Sequence, residues 1–408
     1  MRKQASLFFS GKIHLMTSNH QLPITNNKLR LTTRLFLNLG LLAVLLASCQ
    51  SAAPTADLNA IQTAAFQTAY AQISIPTETP VPSETPIPTA TAIRTPPALP
   101  GTYQTSILNS TDIPRTYVTD SCQYLQNKWN SNNSIPGTVV MVIMFHGINK
   151  GEASGNDITN TEHSKLMNDL HELGFQAINM QQMSDFMYNN AKIPDRSVLL
   201  IVDDRHFAEY FNDHFRSYFN QWGWPVINAY IGVDERTDLW AENAALSAEG
   251  LVDYQSHGYL HNTPISEGST DEFITSEMGG AISSIQKYMN KTPIAYIWPG
   301  GGFSARAVEL GPQLGYKLGF TVNPRGPVMY NWVPQADAIN DSNPYAIPET
   351  PAGNPLMTLP RYWSTDAREN IDSVRVIGEE GKAYAEQNKA IELEYYDIVC
   401  APTYGPIP

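Results

Sequence analysis

From residue 138 to residue 323, continuous apolar runs alternate with stretches whose apolar residues recur at helical spacing. TVVMVIMF (138–145) is apolar throughout and rich in β-branched side chains, the signature of a strand covered on both faces. SVLLIVDD (197–204), WPVINAYIG (224–232), LVDYQS (251–256), PIAYIW (293–298) and LGFTVN (318–323) repeat the pattern. Between them, EHSKLMNDLHELGF (162–175) sets Leu166, Met167, Leu170 and Leu173 on one helical face and stops at Gly174. FITSEMGGAISSIQKYM (273–289) does the same with Met278, Ile282, Ile285 and Met289. SARAVELGPQLG reads as a further helix, with Pro312 an awkward guest. Residues 328 to 356 show little periodicity, and residues 366 to 400 predict a helix followed by a short final strand, YDIVC. Such alternation with short connections predicts an α/β fold on a parallel sheet, open or closed into a barrel, with function at the carboxyl ends of the strands.

The amino-terminal part reads differently. Leu35 to Ala47 is an apolar run preceded by Lys28, Arg30 and Arg34. It is shorter than the ~20 residues of a membrane span and has the flanks of a secretory signal. Leu46-Ala47-Ser48-Cys49 resembles a bacterial lipobox, which implies lipidation at Cys49 and an exported protein anchored to the membrane of the cell envelope. The alternative is an ordinary cleaved signal with an incidental cysteine. We therefore expect a signal segment over 1–49, a disordered Thr/Pro-rich spacer over 50–109, including IPTETPVPSETPIPTATAIRTPPALP (75–100), and one catalytic domain over 110–408.

Net charge is -13 with no basic run after the signal, which argues against nucleic acid and strongly anionic polymers and fits a neutral or cationic substrate. Of the three cysteines, Cys122 and Cys400 remain beyond Cys49; they either pair in an oxidising compartment or stay as separate buried thiols.

Four apolar runs end in chemically useful residues: His146, Asp203-Asp204, His257 followed by His261, and Trp298-Pro299-Gly300-Gly301-Gly302. One carboxylate with two imidazoles suits Zn2+ or a similar divalent metal with coordination positions left open. A second carboxylate beside it can take a proton from water, and a separate imidazole can return one to a leaving group. Adjacent residues of an extended backbone point to opposite sides, so Asp203 and Asp204 have different tasks.

These motifs resemble the polysaccharide deacetylases of the NodB-like carbohydrate esterase family over about Val139 to Asn323. Ile201-Val202-Asp203-Asp204-Arg205 stands where the family has Thr-Phe-Asp-Asp-Gly, His257-Gly258-Tyr259-Leu260-His261 where it has His-Ser/Thr-x-x-His, and Pro299-Gly300-Gly301 where it has Pro-Tyr-Gly. The resemblance implies a distorted (β/α)7-type barrel, Asp203 as general base, Asp204, His257 and His261 as metal ligands, and the Gly300 N–H as oxyanion donor. No histidine follows His261, whereas the family's general acid usually lies late in the domain. MVIMFHGI is similar to the opening strand of a circularly permuted branch that includes poly-N-acetylglucosamine deacetylases, which makes His146 the acid.

There are departures. Arg205 replaces a glycine, Gly258 a hydroxyl residue and Ile201 a threonine; the third motif's arginine lacks a neighbouring counterpart, for which Arg361 is the candidate. The implied function is metal-dependent removal of acetyl groups from a cell-surface or extracellular polysaccharide of the N-acetylglucosamine type. Arg205, Tyr259 and Trp298, with Trp332, are the expected substrate contacts, the alternatives being that Arg205 narrows the pocket and that each aromatic is equally core or rim packing. The alternatives are a glycan-binding protein without turnover and a metal-dependent hydrolase of a non-sugar amide.

Overall fold

The six apolar segments become strands, and with a seventh at Tyr362–Trp363 they follow one another around a ring. In a computed structural model, which describes residues 94–149, 151, 155–340 and 345–408, the described residues belong to one compact unit. The expected signal, Cys49 and the spacer as far as residue 93 lie outside the described residues. The strands are β1 (Val139–Phe145), β2 (Arg196–Asp203), β3 (Val226–Tyr230), β4 (Val252–Ser256), β5 (Ala295–Ile297), β6 (Leu318–Phe320) and β7 (Tyr362–Trp363). They pair in parallel in the spatial order β6-β5-β4-β3-β2-β1-β7. Just before β7, Leu359 bridges Phe320 of β6, with Leu359 N–H on the Gly319 carbonyl at 2.8 Å and Thr321 N–H on the Leu359 carbonyl at 2.9 Å. That segment closes the ring, giving the distorted seven-stranded barrel that the motifs implied.

Both faces of the barrel wall are apolar for a physical reason. Val140, Val142, Leu199, Ile201, Ile227, Ala229, Ala295, Ile297, Leu318 and Phe320 point inward. Val139, Met141, Ile143, Phe145, Val198, Leu200 and Val202 point outward under the helices. A strand with no wet face reads as an uninterrupted apolar run.

The helices are α1 (Ser121–Trp129), α2 (Asn160–Glu172), α3 (Met180–Asn189), α4 (Ala208–His214), α5 (Arg216–Trp222), α6 (Thr237–Glu249), α7 (Asp271–Met289), α8 (Ala305–Gln313) and α9 (Ser364–Tyr395). Capping boxes start α2 (Thr159 with Glu162) and α3 (Asn179 with Gln182). Met180, Met183, Phe186 and Met187 of α3 join the inner core. Pro312 is tolerated one residue from the end of α8. Among the described residues no helix is long and apolar enough to cross a membrane.

Three expectations need correction. YDIVC is not a strand: Tyr396–Cys400 continues α9 as a π-helical turn, whose Tyr396 and Cys400 pack on Leu125 of α1. A short apolar run has no period of its own, and the preceding helix with the Cys122–Cys400 disulfide decides its shape. The spacer does not extend to 109. The Trp332 indole donates to the Tyr103 carbonyl (2.9 Å), Tyr384 to the Gly101 carbonyl (2.8 Å), and Arg94 pairs with Asp397, so the chain is bound to the body from residue 94. Finally, the aperiodic region after 328 contains a strand, Val333–Ala336, antiparallel to Asp112–Arg115. It is buried on both sides, Gln335 included, which removes any alternation.

Candidate active site

The inward set of β2, Leu199 and Ile201, continues to Asp203 at the strand's carboxyl end. Asp203 is 2% exposed and Arg361 is fully buried beneath it. The guanidinium donates to both carboxylate oxygens, at 2.6 and 3.0 Å, and its Nε donates to the Thr321 carbonyl at 2.7 Å. Burial alone would push the Asp203 pKa up; Arg361, His257 and His146 overcome it and hold the group below its ordinary value. Asp203 is thus an ionised carboxylate in a dry setting.

Asp204 then takes the left-handed backbone conformation, φ 71°. Asn228, fully buried in β3, holds this turn by donating to the carbonyls of Val202 (2.8 Å) and Asp204 (2.9 Å). The turn sends the two carboxylates apart. Asp203 goes down to Arg361, and Asp204 up to the histidines.

His257 follows β4. Its Nδ1 donates to the Ile297 carbonyl at 2.8 Å, which fixes the proton there and leaves the Nε2 lone pair facing the site. Burial pulls its pKa down to about 4, against the opposing pull of Asp203, so the imidazole is neutral at ordinary pH. The loop from 258 to 261 is shaped by Glu277 of α7, a buried carboxylate. It accepts the backbone N–H of Tyr259 (3.0 Å), Leu260 (3.1 Å) and His261 (3.3 Å). A Cβ on Gly258, which has φ 78°, would come within 2.9 Å of Glu277. Glycine thus allows the carboxylate to approach, and Glu277 steadies the loop where the family uses a hydroxyl. Its sequence signal was an acidic residue on the apolar stripe that carries Ile274, Met278 and Ala281.

Asp204, His257 and His261 come together. Their ligand atoms form a triangle with sides of 3.1 Å (His257 Nε2 to His261 Nε2), 3.8 Å (Asp204 to His257) and 3.8 Å (Asp204 to His261). The point equidistant from the three lies about 2.1 Å from each, matching the roughly 2.0–2.2 Å bonds of zinc to nitrogen and carboxylate oxygen. The donor set and its size fit a divalent cation.

His146 follows β1, in step with the inward Val140 and Val142. Its Nε2 is 3.8 Å from Asp203 Oδ2, and its ring stacks on Trp363 with centroids 5.8 Å apart. Tyr210 donates to its carbonyl at 2.8 Å. Segment 361–363 therefore supplies both the arginine under Asp203 and the ring beside His146. Gly300 sits at the turn after β5 with φ 56°.

The expected substrate contacts fare unevenly. Trp298 is fully buried with its indole N–H on the Met357 carbonyl (2.8 Å), so it is core and not a sugar platform. Trp332 is buried against Tyr103 in the same way. Tyr259 lies across Gly280 of α7 and pins the ligand loop to that helix. Arg205 leans over the loop after β3, its guanidinium 3.4 Å from the Val233 carbonyl and 3.5 Å from that of Glu235.

The family model described as polysaccharide deacetylase matches residues 190–319, roughly a third of the chain. This is the resemblance expected from the motifs. The matched stretch holds Asp203, Asp204, His257, His261 and Gly300, while His146 and Arg361 lie outside it. Among solved structures, the chain is similar to the Streptococcus pyogenes deacetylase PplD in complex with acetate (17% identity, TM-score 0.46, 59% of this chain and 99% of that one). It is also similar to IcaB from Ammonifex degensii (16%, 0.43, 61% and 100%). A third is the BpsB deacetylase domain from Bordetella bronchiseptica (15%, 0.41, 55% and 95%). No curated protein matches the chain.

Proposed function

We propose that this chain is a metal-dependent deacetylase of an acetylated polysaccharide, of the N-acetylglucosamine type, at the cell envelope. The observation that carries the reading is the meeting of an Asp204–His257–His261 triangle of metal-ligand size with a buried, arginine-paired Asp203 and a histidine 3.8 Å from it. The family match over 190–319 supports acetyl hydrolysis, and the putting together of lipobox-like residues ending at Cys49 with a spacer supports export and a lipid anchor.

A divalent cation, Zn2+ by donor type, held by Asp204, His257 and His261 supplies Lewis-acid polarisation of an acyl oxygen and makes water a better nucleophile near neutral pH. The protein's own groups do the rest. Asp203 accepts the proton of the attacking water. Its pairing with Arg361 keeps it ionised and orients it, and the second lone pair on each oxygen stays available. His146, on the other side of Asp203, delivers a proton to the departing nitrogen or oxygen of the sugar. The Gly300 N–H faces the developing negative charge on the acyl oxygen. Nothing in this constellation reads the sugar itself.

The test is acetate release from acetylated chitooligosaccharides by the purified domain, with and without a chelator. Chelator-sensitive release that readded Zn2+ restores is expected. Release unaffected by the chelator and by Asp204→Ala would overturn the metal-dependent reading, and sugar binding without any release would leave a glycan-binding protein.

A further inference from the structure

Ion pairing sets one arginine of this acid-rich chain apart. Of the eleven arginines among the described residues, ten have a carboxylate within 4.0 Å: Arg361 has Asp203, Arg325 has Asp112 and Glu349, and the rest pair at the surface. The exception is Arg205, the residue next to the ligand Asp204. It is half-buried, and its contacts are two backbone carbonyls at the long limit of hydrogen bonding, 3.4 and 3.5 Å. The acids around it are engaged elsewhere: Asp234 with Lys287 at 2.9 Å, Asp238 with Arg236 at 2.9 Å. Glu235, whose carbonyl Arg205 contacts, and Glu242, which shares the surroundings of Tyr230 with Arg205 and has a buried Oε1 with no partner among the described residues, are the remaining carboxylates there; neither comes within 4.0 Å of a cation among the described residues.

We propose that Arg205 selects an acetylated sugar bearing an anionic oxygen group, a carboxylate or a phosphate, close to the acetyl group to be removed. This rests on the deacetylase reading and names its substrate class. The guanidinium fork matches two oxygens of such a group, and a half-buried cation without a counter-ion gains most from one. Phe207, two residues further on and 54% exposed, carries the Arg236 guanidinium over its ring at 5.5 Å, so a second cation stands on this side of the turn. Net charge of -13 repels a polyanion at long range, yet a single anionic substituent meets a local cation with no carboxylate within 4.0 Å among the described residues.

The experiment compares kcat/KM for acetate release from three sugars: a neutral N-acetylglucosamine oligomer, an oligomer carrying a lactyl carboxylate, and one carrying a phosphate monoester. For the native protein, one anionic sugar should exceed the neutral one by about ten- to a hundredfold, the worth of a hydrogen bond to a charged group. The anionic sugar that shows the preference identifies the group. Arg205→Gln should collapse that ratio toward one through KM, Arg205→Lys should keep part of it, and added salt should shrink it. Equal kcat/KM on all three sugars, or an Arg205→Gln loss shared equally by all three, would overturn the proposal. So would Glu242→Gln if it erased the preference as fully as Arg205→Gln, because Arg205 would then act by pairing with Glu242. Absence of acetate from every sugar would sink the deacetylase reading alone; calorimetric binding of the same sugars to native and Arg205→Gln protein would then decide on Arg205.

Discussion

At the carboxyl ends of the strands the barrel is held by buried polar groups, and at the opposite end by ring packing, a covalent tie and one shielded ion pair. The first end contains the buried Asp203–Arg361 pair, the buried Glu277 under three backbone N–H groups, and two non-glycine residues, Asp204 and His261, in the left-handed region at φ 71° and 57°. The second contains the Cys122–Cys400 disulfide, the Tyr103–Trp332 and Tyr124–Tyr330 ring stacks at 5.8 and 6.0 Å, and a shielded Lys128–Glu392 pair. Buried ion pairs and strained backbone are weak contributors to stability, because desolvation and strain offset much of what they gain. Their use at one end is to hold chemical groups at fixed distances. Stability comes from the other end and from the two apolar layers of the wall.

Perturbing each end should therefore have separable effects. Asp203→Asn should lower acetate release by ~10²–10⁴-fold, the usual worth of a general base, while metal analysis still finds one ion per protein. Arg361→Leu leaves Asp203 an unpaired buried charge and should cost about 3–5 kcal/mol, read as a fall in the urea midpoint. An unchanged midpoint would mean that the pair does not organise this end. At the far end, replacing Cys122 and Cys400 by serine should cost about 2–4 kcal/mol and leave metal affinity as it was; a weakened metal site would show that the two ends are coupled.

Glu277→Gln should weaken metal binding about 10–100-fold in a competition titration, with a smaller effect on the melting of the metal-free protein. The gentlest probe is pH. His257 and His163 have pKa values pulled down by burial, to about 4 and about 3, from an ordinary 6.5. Between those values and 6.5 the unfolded chain binds more protons than the folded one. The metal-free protein should thus be fully stable above about pH 6.5 and lose stability steadily as pH falls toward 4, measured by urea midpoints across that range. A midpoint independent of pH there would contradict the burial of these imidazoles.

Strands and the candidate site residues at their ends are legible where local rules suffice. A segment such as Val139–Phe145 must be apolar at every position to be covered on both faces, and that constraint is written into consecutive residues. Asp203-Asp204 and His257 stood out because each ends such a run. Roles that depend on what lies across the fold were not legible. Trp298 and Phe207 are both large rings near strand ends, yet one is fully buried and the other 54% exposed. Asn228, in the middle of an apolar strand, and Glu277, on an apolar helix face, are polar misfits whose purpose no neighbouring residue reveals. Asn228 holds backbone groups of the turn at Asp204, and Glu277 those of the loop from Tyr259 to His261.

Taken by itself, the chain's residue order settles the alternation of strands and helices, the direction of each side chain along a strand, and the kinds of donor at the strand ends, because all of these depend on neighbours a few positions apart. Closure of the ring settles the rest. Arg361 reaches Asp203 across 158 positions because the segment before β7 spans from β6 to β1, and no local periodicity encodes which distant strands become neighbours. The register between β1 and β2 places His146 opposite Asp203 without help from closure, and the finished fold leaves Arg205 as the arginine with no carboxylate within 4.0 Å among the described residues.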